Sequence, residues 1–380
     1  MNLLNQLKVN KSKIILFIAK SLSISVNNKN LEEIKETLKL QYIDWDLFIK
    51  ISTSQLVLPS LYCNYKRKKL LSFFPDELVA YMKYITSLNR DRNLKVIEQI
   101  NRLNNLLKQN KINPIFFKGA NYLIQGLYDD LAERMVGDID FLVPNNEYDL
   151  AAKILVDNNY KSVSNLGYNF PNFKHFPRLC NENEIAAVEI HKEMVIEKHA
   201  KEFNFETIKS DIISKNGFSF LSNDNQKAIT IFSNQINDHG YEYKTIKLKN
   251  AYDFLLLNNI NSSNDFAYHF DKLRTPIMFF LNSVNYLFGD IGLQYENNQK
   301  VNQHFKKFKS LLHNPIRNKF HSKIIGLKLF LIVRIKIIFK SIVNKEYRAW
   351  LIKRVLDKKW QREKLVQFKL KKTNKTKLSS

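Results

Sequence analysis

The chain is poor in residues that cross-link or break a fold. Its two cysteines, Cys63 and Cys180, cannot build a disulfide framework or a cysteine-rich zinc site. Two free thiols in a reducing cytosol are expected instead. Nine glycines and eight prolines in 380 residues exclude collagen-like and proline-rich linker chains. They also leave room for long helices with few sharp breaks. No repeat of 20–50 residues is apparent, so solenoids and propellers lose their main support. Uninterrupted apolar runs are scarce too. The run at 14–19 stops at Lys20, with no small-residue cleavage pattern after it, so no secretory leader is expected. The window 324–343 is the most apolar, but Lys328, Arg334, Lys336 and Lys340 interrupt it. Cations near the centre of a spanning helix cost roughly 2.5–3.5 kcal/mol each on insertion, so a transmembrane helix is not expected.

What is present is an ordinary globular composition, 44% hydrophobic and 25% charged, in a chain long enough for two modest domains. The net charge of +24 is unevenly placed. Residues 304–380 hold 23 Lys and Arg against 3 Asp and Glu, and the other 303 residues hold 37 against 33. The body is nearly neutral. Any polyanion-binding argument therefore concerns the tail.

The pattern divides the chain at 111, 222 and 303. Residues 1–111 read as a helical cap. Leu31, Ile34, Leu38 and Leu40, and then Leu94, Ile97, Ile100, Leu103 and Leu107, follow a helical period, with breaks at Pro59 and Pro75. Residues 112–222 read as a mixed sheet with helices on it. Pro114-Ile115-Phe116-Phe117 is a short buried strand ended by Lys118-Gly119-Ala120, and 121–128 is a helix. The run 138–143 is a second strand, stopped by Pro144. Then 148–158 is a helix with Leu150, Ile154 and Leu155 on one side, and 174–180 with 186–191 forms a hairpin. Residues 223–303 are helical again. Residues 304–380 are the basic, partly amphipathic tail, frayed over 371–380.

Asp138-Ile139-Asp140 carries the sharpest chemistry. Residues i and i+2 of a strand share a face, so both carboxylates project together and repel. A cation relieves that repulsion. Magnesium, hard and oxygen-seeking, often keeps substrate phosphates in its shell. Glu189, in Val188-Glu189-Ile190-His191, supplies a third acid from another strand. The turn Phe117-Lys118-Gly119 offers backbone N–H groups and a lysine to a phosphate, although no Walker signature occurs.

Taken in order, Phe117-Lys118-Gly119, Leu127-Tyr128, Arg134, Asp138-Ile139-Asp140 and Val188-Glu189-Ile190-His191 resemble a family of uncharacterised nucleotidyltransferases. That family lies within the polymerase-beta-like superfamily. The resemblance spans roughly residues 30–290. It implies an α+β fold with a mixed sheet, a helical N-terminal cap and a helical C-terminal region. It implies transfer of a nucleoside monophosphate from a nucleoside triphosphate to an unknown hydroxyl-type acceptor, assisted by two Mg2+ ions. By position, Asp138, Asp140 and Glu189 would be the catalytic, metal-binding acids, Glu189 helping to activate the acceptor. Lys118, Gly119 and Arg134 would bind nucleotide. Arg134 has an equal alternative, a salt bridge that orients an aspartate. His191 would orient a metal ligand or move a proton, unless it is structural; His175 is a weaker candidate, and Tyr128 is expected to be packing. Ala120 departs from the Gly or Ser usual after the turn glycine, and the gap from Gly119 to Asp138 is long.

Two alternatives stand beside the enzyme. One is a non-catalytic nucleotide-binding scaffold. The other is an adaptor whose basic tail acts, by gripping RNA phosphates or by lying on an anionic membrane surface with Trp350 and Trp360 as anchors. The tail could also pack on its own body with cations reaching outward. The expected location is cytoplasmic, with peripheral membrane attachment as a variant.

Overall fold

The helical lead-in is present as five helices, Lys11–Ser23, Asn28–Leu40, Trp45–Ser54, Leu58–Arg67 and the 34-residue Asp76–Gln109. The computed structural model describes residues 11–40, 43–162, 173–296, 298–358 and 361–362. Trp360 and residues 371–380, discussed above, lie outside them. The described parts of residues 1–163 and 174–321 make one compact unit, and those of 164–173 and 322–380 a second.

Proline sits where a helix tolerates it. Pro59 falls in the first turn of Leu58–Arg67, and Pro75 stands just before Asp76. Asp44 caps Trp45–Ser54 by accepting from the backbone N–H of Leu47. In Asp76–Gln109, Ile100, Leu103 and Leu107 are buried, but Leu94 is exposed. Leu40 and Leu150 are exposed too, so the apolar stripes are narrower than their spacing predicts.

Among the described residues the core of the first unit is one seven-stranded mixed sheet. Its strands are β1 (Ile115–Phe116), β2 (Asp138–Leu142), β3 (Lys161–Ser162), β4 (Leu179–Cys180), β5 (Ala187–His191), β6 (Ile213–Lys215) and β7 (Phe218–Phe220). The order across the sheet is β3-β4-β5-β2-β1-β7-β6. β2 and β5 pair in parallel, while β1 runs antiparallel to β2 and β4 antiparallel to β5. The fold is the expected α+β arrangement, with differences of detail. β3 is a strand that the sequence pattern does not predict, and of the expected strand 174–180 only Leu179–Cys180 is a strand, with His175 adding an isolated bridge to His191. The helix after β1 begins at Lys118 and ends at Gln125, three residues earlier than its apolar pattern suggests. A further hairpin, β6–β7, closes the edge around Asn216-Gly217, both at positive φ as a tight hairpin turn requires.

The strand alternation sorts the core into two clusters. Phe116, Ile139, Phe141, Val143, Val188 and Ile190 turn to one face and pack with Ile100, Leu103 and Leu107 of the long helix and Ile154 and Leu155 of Tyr148–Asp157. On the other face Ile115, Phe117 and Leu142 join a cluster that runs through the N-terminal helices and the helices Asn223–Phe232, Leu248–Ile260 and Arg274–Leu287. Both ends of the family-like region thus share one core, on the face that carries the acids.

Candidate active site

The register of β2 and β5 builds the site. Asp140 lies opposite Glu189 and Leu142 opposite His191. Paired residues of neighbouring strands share a face, and so do residues two apart. Asp138, Asp140, Glu189 and His191 therefore project from the same side. Asp140, Glu189 and His191 each offer one ligand atom, and these atoms lie within 4.8 Å of one another. His191 Nε2 is 2.9 Å from Asp140 Oδ1 and 3.5 Å from Glu189 Oε2. The imidazole is buried, wedged edge-on against the Phe117 ring.

Two cations neutralise the acids. Lys118 Nζ donates to Asp140 Oδ1 at 2.5 Å. Arg178 Nη2 donates to Asp138 Oδ2 at 2.6 Å and lies 3.3 Å from Glu189 Oε1. Arg178 precedes β4, and its placement follows from pairing. Leu179 is opposite Val188, and the same antiparallel register sets Arg178 opposite Glu189.

The charges bias one another. Burial works to raise Asp140, but Lys118 and His191 more than offset it, so its carboxyl is held well below the usual carboxylate range. Asp138 goes the other way, pushed up to about 6 by burial and by the charges of Glu189 and Asp140, with Arg178 and Lys118 opposing. Glu189 resists burial through His191 and stays below its ordinary value. Burial alone would lower Lys118, but Asp140, Glu189 and Asp138 raise it overall. Lys118 and Arg178 are the cations that bond the three acids directly. Carboxylate oxygens plus one imidazole are a donor set that fits a divalent metal, the oxygens matching magnesium.

The turn before the acids works differently from its sequence pattern. Lys118, not the glycine, takes the left-handed conformation, at φ 56°. A non-glycine residue there carries strain on the order of 1–2 kcal/mol, a feature that clusters at functional sites. Gly119 is needed for space. A Cβ on it would meet Val136 Cγ2 at 3.0 Å and Cγ1 at 3.2 Å.

Arg134 does not join the acids. It is buried and clamped two-pronged on Asp253, Nε to Oδ1 at 2.7 Å and Nη2 to Oδ2 at 2.8 Å. Tyr128, also buried, donates its hydroxyl to the same Oδ1 and stands edge-on to Tyr252. The aspartate that Arg134 holds, Asp253, is not one of the three acids. His175 sits beside the site, its Nε2 3.8 Å from Glu189 Oε2, and burial and His191 lower its pKa to about 4.

Lys174 and Lys249, which the sequence did not single out, complete the electrostatics. Burial and the charge of Lys118 depress Lys174 to about 8. Lys249, one turn before Asp253 on Leu248–Ile260, is depressed to about 8 by Arg134 and by burial, with Lys118 contributing. Both amines are thus crowded by other cations. A cavity of about 470 Å³ lined by Lys108, Ser214 and Phe218 lies at the β6–β7 edge and contains none of these groups.

Residues 41–278 match a family model described as uncharacterised nucleotidyltransferase. No curated protein and no solved structure matches the chain.

Proposed function

Because the chain belongs to the uncharacterised nucleotidyltransferase family, we propose that it transfers a nucleoside monophosphate from a nucleoside triphosphate to a hydroxyl-type acceptor. The acceptor oxygen bonds the α-phosphorus as the bond to pyrophosphate breaks. One observation carries the proposal: three acids from two paired strands share one face with a strained lysine turn. Asp138, Asp140 and Glu189 would hold two Mg2+ ions, which polarise phosphate oxygens and lower the pKa of a bound hydroxyl.

The chain's own residues do the rest. Lys118, Lys174 and Lys249 place three amines where a triphosphate needs counter-charge, and the depressed pKa values of Lys174 and Lys249 rise when an anion arrives. Arg178 holds Asp138 and Glu189 in place and adds a planar donor beside them. Glu189 Oε2, flanked by His191 and His175, takes the acceptor proton. Arg134 acts at one remove, fixing Asp253 and with it the start of Lys249's helix.

The test uses each nucleoside triphosphate labelled at the α-phosphate, with Mg2+ and a mixture of candidate acceptors. Asp138→Asn, at the more exposed acid, should abolish label transfer with the thermal transition kept. Asp140→Asn should abolish it too, with a lower transition because Lys118 and buried His191 lose their carboxylate. Full transfer by both variants would sink the assignment.

A further inference from the structure

We propose that the protein docks on an anionic lipid surface through residues 324–342 of the helix Pro315–Val343. This helix has 29 residues, seven Lys or Arg and no Asp or Glu. Within it Ile324, Leu327, Leu331, Ile335, Ile338 and Ile342 recur every three or four residues. At 3.6 residues per turn they fall in an arc of about 80° that runs for about 27 Å. All six are exposed, between 49% and 63%. An apolar stripe of that length in water marks a surface that something covers.

The flanking charges select the occupant. Lys323 and Lys328 are exposed and border the stripe on its two sides. A second copy laid stripe to stripe would set seven cations against seven, with no acid on the helix to pair them. A nucleic acid would neutralise the cations and leave the stripe in water. An anionic bilayer satisfies both at once, apolar side chains entering the acyl boundary and amines reaching headgroup phosphates. No described helix is long and apolar enough to cross a membrane, so the mode is in-plane. The neighbouring helix Lys345–Leu356 exposes Ile352, Val355 and Leu356 as further apolar contacts.

The docking does not depend on the catalytic reading, and its assay needs no nucleotide. The full chain is sedimented with vesicles of phosphatidylcholine alone, or with one lipid in three replaced by phosphatidylglycerol. Two variants are compared, Leu327→Gln/Leu331→Gln and Lys323→Gln/Lys328→Gln. All four positions are exposed, so the thermal transition should not move. Wild type should partition onto the anionic vesicles and much less onto neutral ones. Removing the two cations should weaken partitioning roughly thirtyfold, at about 1 kcal/mol per cation, and removing the two leucines at least roughly tenfold. Three results would overturn the proposal. The first is no retention of wild type on anionic vesicles. The second is loss with the lysine variant but not the leucine variant, the pattern of a polyanion such as RNA. The third is a dimer in solution that the leucine variant dissolves.

Discussion

Gly119→Ala tests the claim that this glycine provides room and not backbone freedom. Two effects oppose. Alanine is about 0.8–1 kcal/mol better than glycine inside a helix, and Gly119 lies in the first turn of Lys118–Gln125 with no positive φ. Against that, the new methyl would stand 3.0 and 3.2 Å from the two Val136 methyls. Both residues are buried, so the neighbour cannot simply swing into solvent. Overpacking of this kind costs about 1–3 kcal/mol. The net is a loss of roughly 0–2 kcal/mol, and the sign should reverse where the clash is removed. In a Val136→Ala background, Gly119→Ala should stabilise the protein, giving a coupling of about 1–3 kcal/mol between the sites. Urea unfolding of the four proteins of the cycle reads it directly. If the alanine destabilises both backgrounds equally, the contact with Val136 is not what excludes a side chain.

Four other perturbations follow from the same geometry. Asp253→Asn strips the charge from a buried two-pronged pair; it should cost about 3–5 kcal/mol, seen as a much lower transition temperature, and an unchanged transition would refute a stabilising Arg134–Asp253 pair. Lys249→Met should raise the KM for nucleotide with a smaller effect on kcat, measured by label transfer at varied triphosphate; equal kinetics would remove Lys249 from the site. Glu133 is buried against Arg67, and burial pushes its pKa up to about 7 despite that partner. A carboxyl that binds its proton more tightly when folded adds stability that is present at low pH and lost as pH rises from its ordinary value near 4.5 through 7. Glu133→Gln should flatten that slope, and identical pH profiles would contradict it. Phe308 and Leu311 are buried in the helix Gln299–His313, inside the basic segment; Phe308→Ala should cost about 3–5 kcal/mol, whereas a solvated tail would not register it.

The acids were legible because period 2 is a local rule. Asp138 and Asp140 share a face by strand geometry alone, and only the pairing with Glu189 needed the fold. Lys118 was legible as a charge at a turn, but its left-handed backbone was not, since a strained φ at lysine has no sequence mark. Arg178 was readable in principle. Once 174–180 and 186–191 are taken as a hairpin, the register that sets Leu179 opposite Val188 puts an arginine opposite Glu189. The β6–β7 hairpin likewise advertises itself in Asn216-Gly217. Lys249 and Asp253 were hidden, because they reach Arg134 across more than a hundred residues and sit on an ordinary helical pattern. Gly119 misled for a related reason. A glycine before a helix reads as a flexible phosphate turn, whereas Val136, seventeen positions later, is what demands it.

Under the proposed function, Asp138, Asp140 and Glu189, with the amines around them, hold a metal-bound nucleoside triphosphate. The most direct measurement is thermal unfolding with each of the four nucleoside triphosphates, with and without Mg2+, on wild type and on Asp138→Asn/Asp140→Asn. A ligand at about 100 times its Kd stabilises the folded state by about 2.7 kcal/mol, enough to move the transition. At least one nucleotide should give a Mg2+-dependent shift that vanishes in the double variant. No shift with any nucleotide, or a shift of equal size in the variant, would contradict it.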